Sequence, residues 1–342
     1  MTSNPNQWLA LTREEAIEPD LPICDPHHHL WVRSDDLFPH KIYLLDELLE
    51  DTGSGHNVVQ TVFVECGSMY RKDGPVELRP VGETEFVEAV ATESERNRND
   101  GGGAIIAGTV SHADLTLGEG VKPILEAHLA ASPTRFRGIR HNAYWNTSDE
   151  LSKFNSIRPG LLLDEAFRAG FSSLQHYGLS FETALWHYQL PDLIDLARAF
   201  PETTIIVDHI GGLLGIGPYA QDRSGAVKNW QHDIAKLAAC PNVMMKLGGL
   251  GMPWYGFDWH QRSAPPDSVT LAEGMRPLFL WCIEQFGVDR CMFESNFPVD
   301  KVSYSYSLMW NAFKRVVQDF SPTEKVALFH DTAARVYRLA TG

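Results

Sequence analysis

The chain has 342 residues, 44% of them hydrophobic, and a formal net charge of -15. That length and apolar share suffice for a large core and fit one α/β barrel better than one ordinary domain. The acidic balance argues against nucleic acid or an anionic membrane surface as partner, since both select a basic face, and no run of about twenty apolar residues is present to span a bilayer.

The first twenty residues lack a basic start and an apolar stretch, so they read as an N-terminal extension, with residues 21–342 forming one barrel and its closing helices. Five cysteines, Cys24, Cys66, Cys240, Cys282 and Cys291, are odd in number and widely spaced. They fit reduced core thiols and a cytoplasmic protein.

The chain then alternates short β-branched runs with longer helical patterns. Residues 21–24 read as the first strand and lead into Asp25-Pro26-His27-His28-His29. Successive strand side chains face opposite ways, so His27 and His29 share one face and His28 points away. Further strands are expected over 58–66, 104–110, 136–141, 179–184, 203–208, 242–247 and 290–294. The periodicity predicts helices over 83–97, 117–131, 164–175, 191–200, 226–239 and 270–286, with 304–319 and 322–339 closing the chain. Gly101-Gly102-Gly103 marks a break before the third strand, and 71–80 reads either as an ordered lid or as a plain loop.

Eight βα units imply a parallel sheet, and eight close most naturally into a (βα)8 TIM barrel. No G-x-G-x-x-G follows the first strand to favour an open dinucleotide-binding sheet. The active site of such a barrel lies at the C-terminal strand ends. Ionisable and polar groups crowd there: His27 and His29, Glu65, Arg140 and His141, His187 beyond strand five, Asp208 and His209, Lys246, and Glu294 with Asn296. Such convergence is costly in desolvation and repulsion unless the groups bind or react with something. Asp208 and His141 are the two that a structural role would explain equally well.

The claw Asp25-x-His27-x-His29, the run Val207-Asp208-His209-Ile210-Gly211 and the run Phe293-Glu294-Ser295-Asn296-Phe297-Pro298 resemble, in barrel order, the amidohydrolase superfamily. They are most similar to its lactonase branch, which includes 2-pyrone-4,6-dicarboxylate lactonase and L-fuconolactonase. The likeness extends to the closing segment from Asp331 to Tyr337. It implies that His27, His29 and His209 either ligate a divalent metal or, as in metal-free lactonases, bind the substrate carbonyl. It also implies a strand-eight aspartate, in a Gly-Ser-Asp-x-Pro motif, that takes a proton from the attacking water. Here Asn296 stands in the aspartate's place and Glu294 in the glycine's.

A carboxamide has no basicity near neutral pH, so Asn296 is expected to orient substrate or water. Glu294 lies on the same barrel-facing side, about 6.6 Å deeper along the strand. It either takes over as base or holds a histidine that does; an interior pair with Lys246 or Arg140 is the alternative. Three imidazoles could hold one Zn²⁺. Lacking the strand-eight carboxylate they would hold it less firmly, so no obligatory metal is expected and a single zinc on His27, His29 and His209 is the alternative.

The expected reaction is hydrolysis of a lactone or cyclic ester. Glu294 or His209 takes the proton of the attacking water, while His27, His29, Lys246 and Arg140 face the developing oxyanion. Arg140 either clamps a substrate carboxylate, selecting an acidic substrate, or pairs with Glu65. Further substrate contacts are expected from His187 and from the aromatic stretch 252–260, where Trp254 and Tyr255 stand at the rim beside Trp145 and Trp186. These rings suggest a small cyclic or aromatic substrate. Aromatic clusters also build subunit interfaces, so a homo-oligomer stays open. Two other classes stay open too: a metal-dependent decarboxylase of an aromatic or unsaturated acid, against which Asn296 counts, and a non-catalytic ligand-binding barrel.

Overall fold

The computed structural model describes residues 5–34, 38–99 and 104–340, without the side chains of 97–99; the glycine run 101–103 lies outside the described residues. Eight parallel strands neighbour one another in sequence order: β1 (Ile23–His28), β2 (Val58–Val64), β3 (Ile105–Ser111), β4 (Phe136–Arg140), β5 (Ser180–Thr183), β6 (Ile205–Val207), β7 (Val243–Leu247) and β8 (Cys291–Phe293). The sheet closes where the chain leaving β8 meets β1. His28 bridges Phe297, the His29 N–H donates to the Phe297 carbonyl at 2.8 Å, and the Asn296 N–H donates to the His27 carbonyl at 2.9 Å. The result is a single-domain (βα)8 TIM barrel. This seam also explains why β1 runs past its expected end at Cys24. The histidine segment is paired on both sides and therefore stays extended.

The helices that wrap the barrel are α1 (Leu45–Thr52), α2 (Val81–Asn99), α3 (Lys122–Ala131), α4 (Glu165–His176), α5 (Leu190–Ala199), α6 (Arg223–Ala238), α7 (Ser268–Phe286) and α8 (Tyr306–Val316). α1 was not anticipated, nor was the small hairpin of Trp31–Val32 with Ile42–Tyr43. α3 begins later than its periodicity suggests, because Gly118 takes φ 58 and Pro123 favours a helix start. α4 starts where expected because the Asp164 carboxylate accepts the Phe167 N–H at 2.9 Å, a cap worth about 1 kcal/mol.

Strand alternation sorts the core into two layers. Phe181, Val207, Met245 and Phe293 point outward beneath the helices, while Glu182, Ile206, Lys246 and Met292 point into the lumen. The lumen floor is apolar: Cys24, Val62, Ile206, Met244 and Met292 pack against Val336, Tyr337 and Leu339. Those last residues come from the chain's end, which is not the single helix its pattern suggests. It breaks into Pro322–Val326, a wider turn Ala327–Asp331 and Thr332–Val336, and then passes under the barrel. Residues 5–20 lie against the same body, with the Ile17 N–H donating to Asn311 Oδ1 at 2.8 Å and Lys325 Nζ donating to Glu18 Oε1 at 2.6 Å. All five cysteines are free. Among the described residues no helix is long and apolar enough to cross a membrane.

Candidate active site

His27, His29, Glu65, Arg140, Asp208, His209, Lys246, Glu294 and Asn296 converge at the C-terminal mouth and upper lumen, all of them buried. Two occupy backbone conformations that side-chain-bearing residues seldom adopt: His209 at φ 53 and Asn296 at φ 54. Such positions cost on the order of 1 kcal/mol each and persist where the surroundings dictate them. After His209 the chain continues left-handed through Ile210, Gly211 and Gly212. Gly212 is obligatory, since a Cβ there would lie 1.7 Å from the Leu185 carbonyl oxygen.

Glu294 is the hub. Its Oε1 accepts the His209 backbone N–H at 3.0 Å and the His209 Nδ1–H at 2.7 Å. Its Oε2 lies 2.6 Å from His27 Nδ1, in contact but off the line of a hydrogen bond. With Nδ1 committed, Nε2 carries the lone pair of a neutral His209, and no hydrogen bond engages it among the described residues. Burial opposes charge on both partners, yet their mutual attraction prevails. Glu294 is held well below the usual carboxylate range and His209 is raised above the ordinary imidazole value.

The claw is fixed from both ends. His29 donates Nδ1–H to the Val64 carbonyl at 2.8 Å, which leaves Nε2 as its lone pair. That nitrogen lies 3.3 Å from His27 Nε2 and 3.3 Å from Asn296 Oδ1. The amide orientation of Asn296 follows from its Nδ2–H₂ donating to Asp300 Oδ1 at 2.8 Å. Two acceptors, His29 Nε2 and Asn296 Oδ1, thus face each other with no proton between them, a corner suited to a donor or a cation. Burial, reinforced for His27 by Lys246 and for His29 by His27 and Arg140, holds both imidazoles below their ordinary values and so neutral.

Arg140 is fully engaged. Nε donates to Glu65 Oε1 at 2.9 Å, Nη2 to the Glu65 carbonyl, and Nη1 lies 3.3 Å from His27 Nε2 and 3.2 Å from Asp208 Oδ2. The pairing with Glu65 is therefore the alternative the structure adopts, and the guanidinium has no fork left for a substrate carboxylate. Lys246 lies deeper, bonded to Glu182 and 3.3 Å from Asp208 Oδ1. Its Nζ reaches His27 Nδ1 at 3.2 Å from below and is fully buried, so it sets the charge of the lumen instead of facing a substrate. Glu182 also accepts the Tyr337 hydroxyl at 2.8 Å.

The donor atoms of His27, Asp208 and His209 lie within 4.8 Å of one another. Asp208 replaces His29 in the trio expected from sequence. The chemistry fits a divalent cation: neutral His27, a carboxylate that Lys246 holds ionised against burial, and two buried oxygens, Asp208 Oδ1 and Glu294 Oε2, without a hydrogen-bond partner. The expectation that no metal is needed finds no support in this arrangement.

Other expected residues lie elsewhere. His187 accepts the Leu214 N–H at 3.4 Å and packs edge-on to Tyr219, away from the claw. Trp186 is fully buried against Tyr144, so its ring is not a free wall of the mouth, while Trp145 is half-buried and its backbone is tied to Gln189 and Tyr188. Within the stretch 252–260, Tyr255 donates its hydroxyl to the His209 carbonyl at 3.0 Å, whereas Phe257 and Trp259 stack on each other at 4.3 Å against α7. Segment 71–80 is tied back by its ends, with the Arg71 N–H donating to the Arg79 carbonyl at 2.9 Å. Sequence reasoning passed over Glu182, Asp300 and Tyr337. An acid inside the buried run Ser180-Phe181-Glu182-Thr183 was the available signal for the first.

The amidohydrolase family model matches residues 24–339, nearly the whole barrel. The chain belongs to the amidohydrolase family. A Sinorhizobium fredii protein, y4mH, is 32% identical over 94% of this chain and 99% of its own length. The L-fucono-1,5-lactonase of Burkholderia ambifaria is 26% identical over 80% of this chain and 87% of its own, and the L-rhamnono-gamma-lactonase of Scheffersomyces stipitis is 21% identical over 92% and 96%. Among solved structures, an amidohydrolase from Burkholderia multivorans with bound zinc superposes with TM-score 0.70 at 23% identity, covering 93% of this chain and 99% of that one. The amidohydrolase described here is thus an enzyme of hydrolase type, in the branch whose named relatives include lactonases.

Proposed function

We propose that this amidohydrolase is a lactonase that opens a small cyclic ester with a water activated at the Glu294–His209 pair. The observation that carries this reading is the 2.7 Å bond from His209 Nδ1 to Glu294, which fixes the tautomer and leaves Nε2 as the lone pair. His209 Nε2 accepts the proton of the attacking water as the water oxygen bonds to the lactone carbonyl carbon. Glu294, ionised at every working pH, steadies the imidazolium that forms. Collapse of the tetrahedral intermediate breaks the ring C–O bond, and the same proton passes from His209 to the departing alkoxide. The product is a hydroxy acid. Asn296 and His29 line the corner that receives the substrate or water, and Arg140, through His27 Nε2 and Asp208, supplies positive potential near the developing oxyanion.

His27, Asp208 and His209 are the residues that would hold a divalent cation. Bound there, it would polarise the carbonyl and make water more acidic. One nitrogen lone pair cannot serve both a cation and a proton, so ligand and free base are alternative roles for His209. Glu294 orders the ring in either case. The lactonase names of the curated relatives and the zinc in the Burkholderia multivorans structure support the reading. Five free cysteines are consistent with action in the cytoplasm.

A panel of lactones, linear esters and carboxylic acids, followed with a pH indicator and a CO₂ readout, tests the assignment. Acid release from lactones is expected. Gas evolution would make the enzyme a decarboxylase, and thermal stabilisation by a panel member without turnover would make it a binding protein.

A further inference from the structure

At the C-terminal face of the barrel lies a small cavity of about 130 Å³ whose walls come from the segments after β1, β4, β7 and β8. In an eight-stranded barrel β4 and β8 stand opposite each other, so a space lined by both segments lies across the mouth. Its walls are apolar: Phe38, Leu151, Phe154, Met252, Trp254 and Val299. The charged side chains that reach it, Glu150 and Lys153, are exposed and form the outer rim.

Three contacts tie these walls to the catalytic groups. Phe38 stacks on Trp31 at 5.2 Å, and Trp31 stacks on His29 at 5.8 Å. Trp254 precedes Tyr255, whose hydroxyl bonds the His209 carbonyl. Met252 follows Gly251, whose N–H donates to Asp300 Oδ2 at 2.8 Å while Asp300 Oδ1 holds Asn296. The cavity's walls are thus carried by the same segments that hold His29, His209 and Asn296, none of which lines the cavity itself.

We infer that this cavity is a substrate subsite for a ring-sized apolar substituent, making the preferred substrate a lactone that carries an aryl or compact branched-alkyl arm. The inference rests on the lactonase reading for its reaction but not for its binding. The size is right, because an apolar cavity of about 150 Å³ accommodates benzene. The chemistry is right as well. A polyhydroxylated lactone would bring hydroxyls against walls where, inside the rim charges of Glu150 and Lys153, only the Trp254 indole N–H among the side chains offers a hydrogen bond, and unpaired buried hydroxyls are penalised. An apolar ring loses nothing there and gains its own desolvation.

The test compares δ-lactones bearing no substituent, a phenyl group or several hydroxyls, together with the corresponding non-hydrolysable lactams titrated by calorimetry. The phenyl lactone is expected to exceed both others at least about tenfold in kcat/KM, and the phenyl lactam to bind at least about tenfold more tightly than the bare one. Leu151→Trp, which fills the cavity, should erase that tenfold ratio. Phe154→Ala, at the half-buried rim and safer for folding, should move the preference to a larger naphthyl arm. Equal binding of phenyl and bare lactams, or a phenyl preference that survives both substitutions, overturns the subsite. Tight phenyl-lactam binding that Leu151→Trp weakens, without turnover of any lactone, keeps the subsite and overturns the lactonase reading instead.

Discussion

Glu294 takes both N–H groups of a single histidine, the backbone amide of His209 at 3.0 Å and its ring Nδ1–H at 2.7 Å. The carboxylate comes from the end of β8 and the histidine from the end of β6. On the mechanism proposed above, this pair supplies from two strands what the resemblance assigns to a strand-eight aspartate, and Asn296 can then stand where a base is expected.

Zinc binding is the first consequence. Titrating the chelator-treated protein with Zn²⁺ should raise Tm, with stabilisation of about 2.7 kcal/mol once free zinc reaches a hundredfold over Kd. Asp208→Ala should weaken that response severalfold. A Tm indifferent to zinc in the wild type would leave His209 as a free base and exclude the trio as a metal site.

The lumen pairs should respond unequally to substitution. Tyr337→Phe removes one hydrogen bond to Glu182 and should cost about 1 kcal/mol in urea unfolding. Lys246→Met leaves Glu182, Asp208 and Glu294 without their buried cation and should cost about 3–5 kcal/mol. Equal small losses would mean that the interior carboxylates are already neutral.

Asp300 gives a pH signature of stability. Burial pushes it up to about 6, against hydrogen bonds from Tyr304, Gly251 and Asn296 that favour its ionised form. A carboxyl whose folded pKa exceeds its unfolded value, about 3.9, contributes most to stability when protonated. That contribution is complete below pH 4 and is lost as pH rises through 6. Relative to Asp300→Asn, which does not titrate, the wild type should therefore lose on the order of 3 kcal/mol between pH 4 and 7. Parallel stability curves for the two proteins would show that Asp300 is not so displaced.

The fold was readable because eight short apolar runs alternate with amphipathic ones, and the claw because two histidines two residues apart must share a strand face. Glu182 was hidden because its importance depends on β5 lying beside β4, in register with Arg140. Tyr337 was hidden because the final helix looks continuous in periodicity, and only the wider turn at Ala327–Asp331 lets the chain pass beneath the barrel. His187 misled for the opposite reason: it follows β5 as a site residue would, yet the turn after Thr183 sends it toward Tyr219. Local pattern reports which face a residue occupies, whereas partners across the barrel are decided by register and closure.

The pH dependence of kcat/KM for wild type and Glu294→Gln on one lactone bears most directly on the Glu294–His209 pair. His209 must be neutral and free of metal to accept a proton, so in the chelator-treated, zinc-free wild type the profile should rise through a pKa above the ordinary value of about 6.5. Stability should run the other way, since protonated His209 is favoured by Glu294 and that contribution fades as pH climbs through the same value. Glu294→Gln should lower kcat about 10²–10⁴-fold and move the limb toward acid. A Glu294→Gln enzyme with nearly wild-type turnover and an unmoved limb, beside an Asn296→Ala enzyme without activity, would contradict the account.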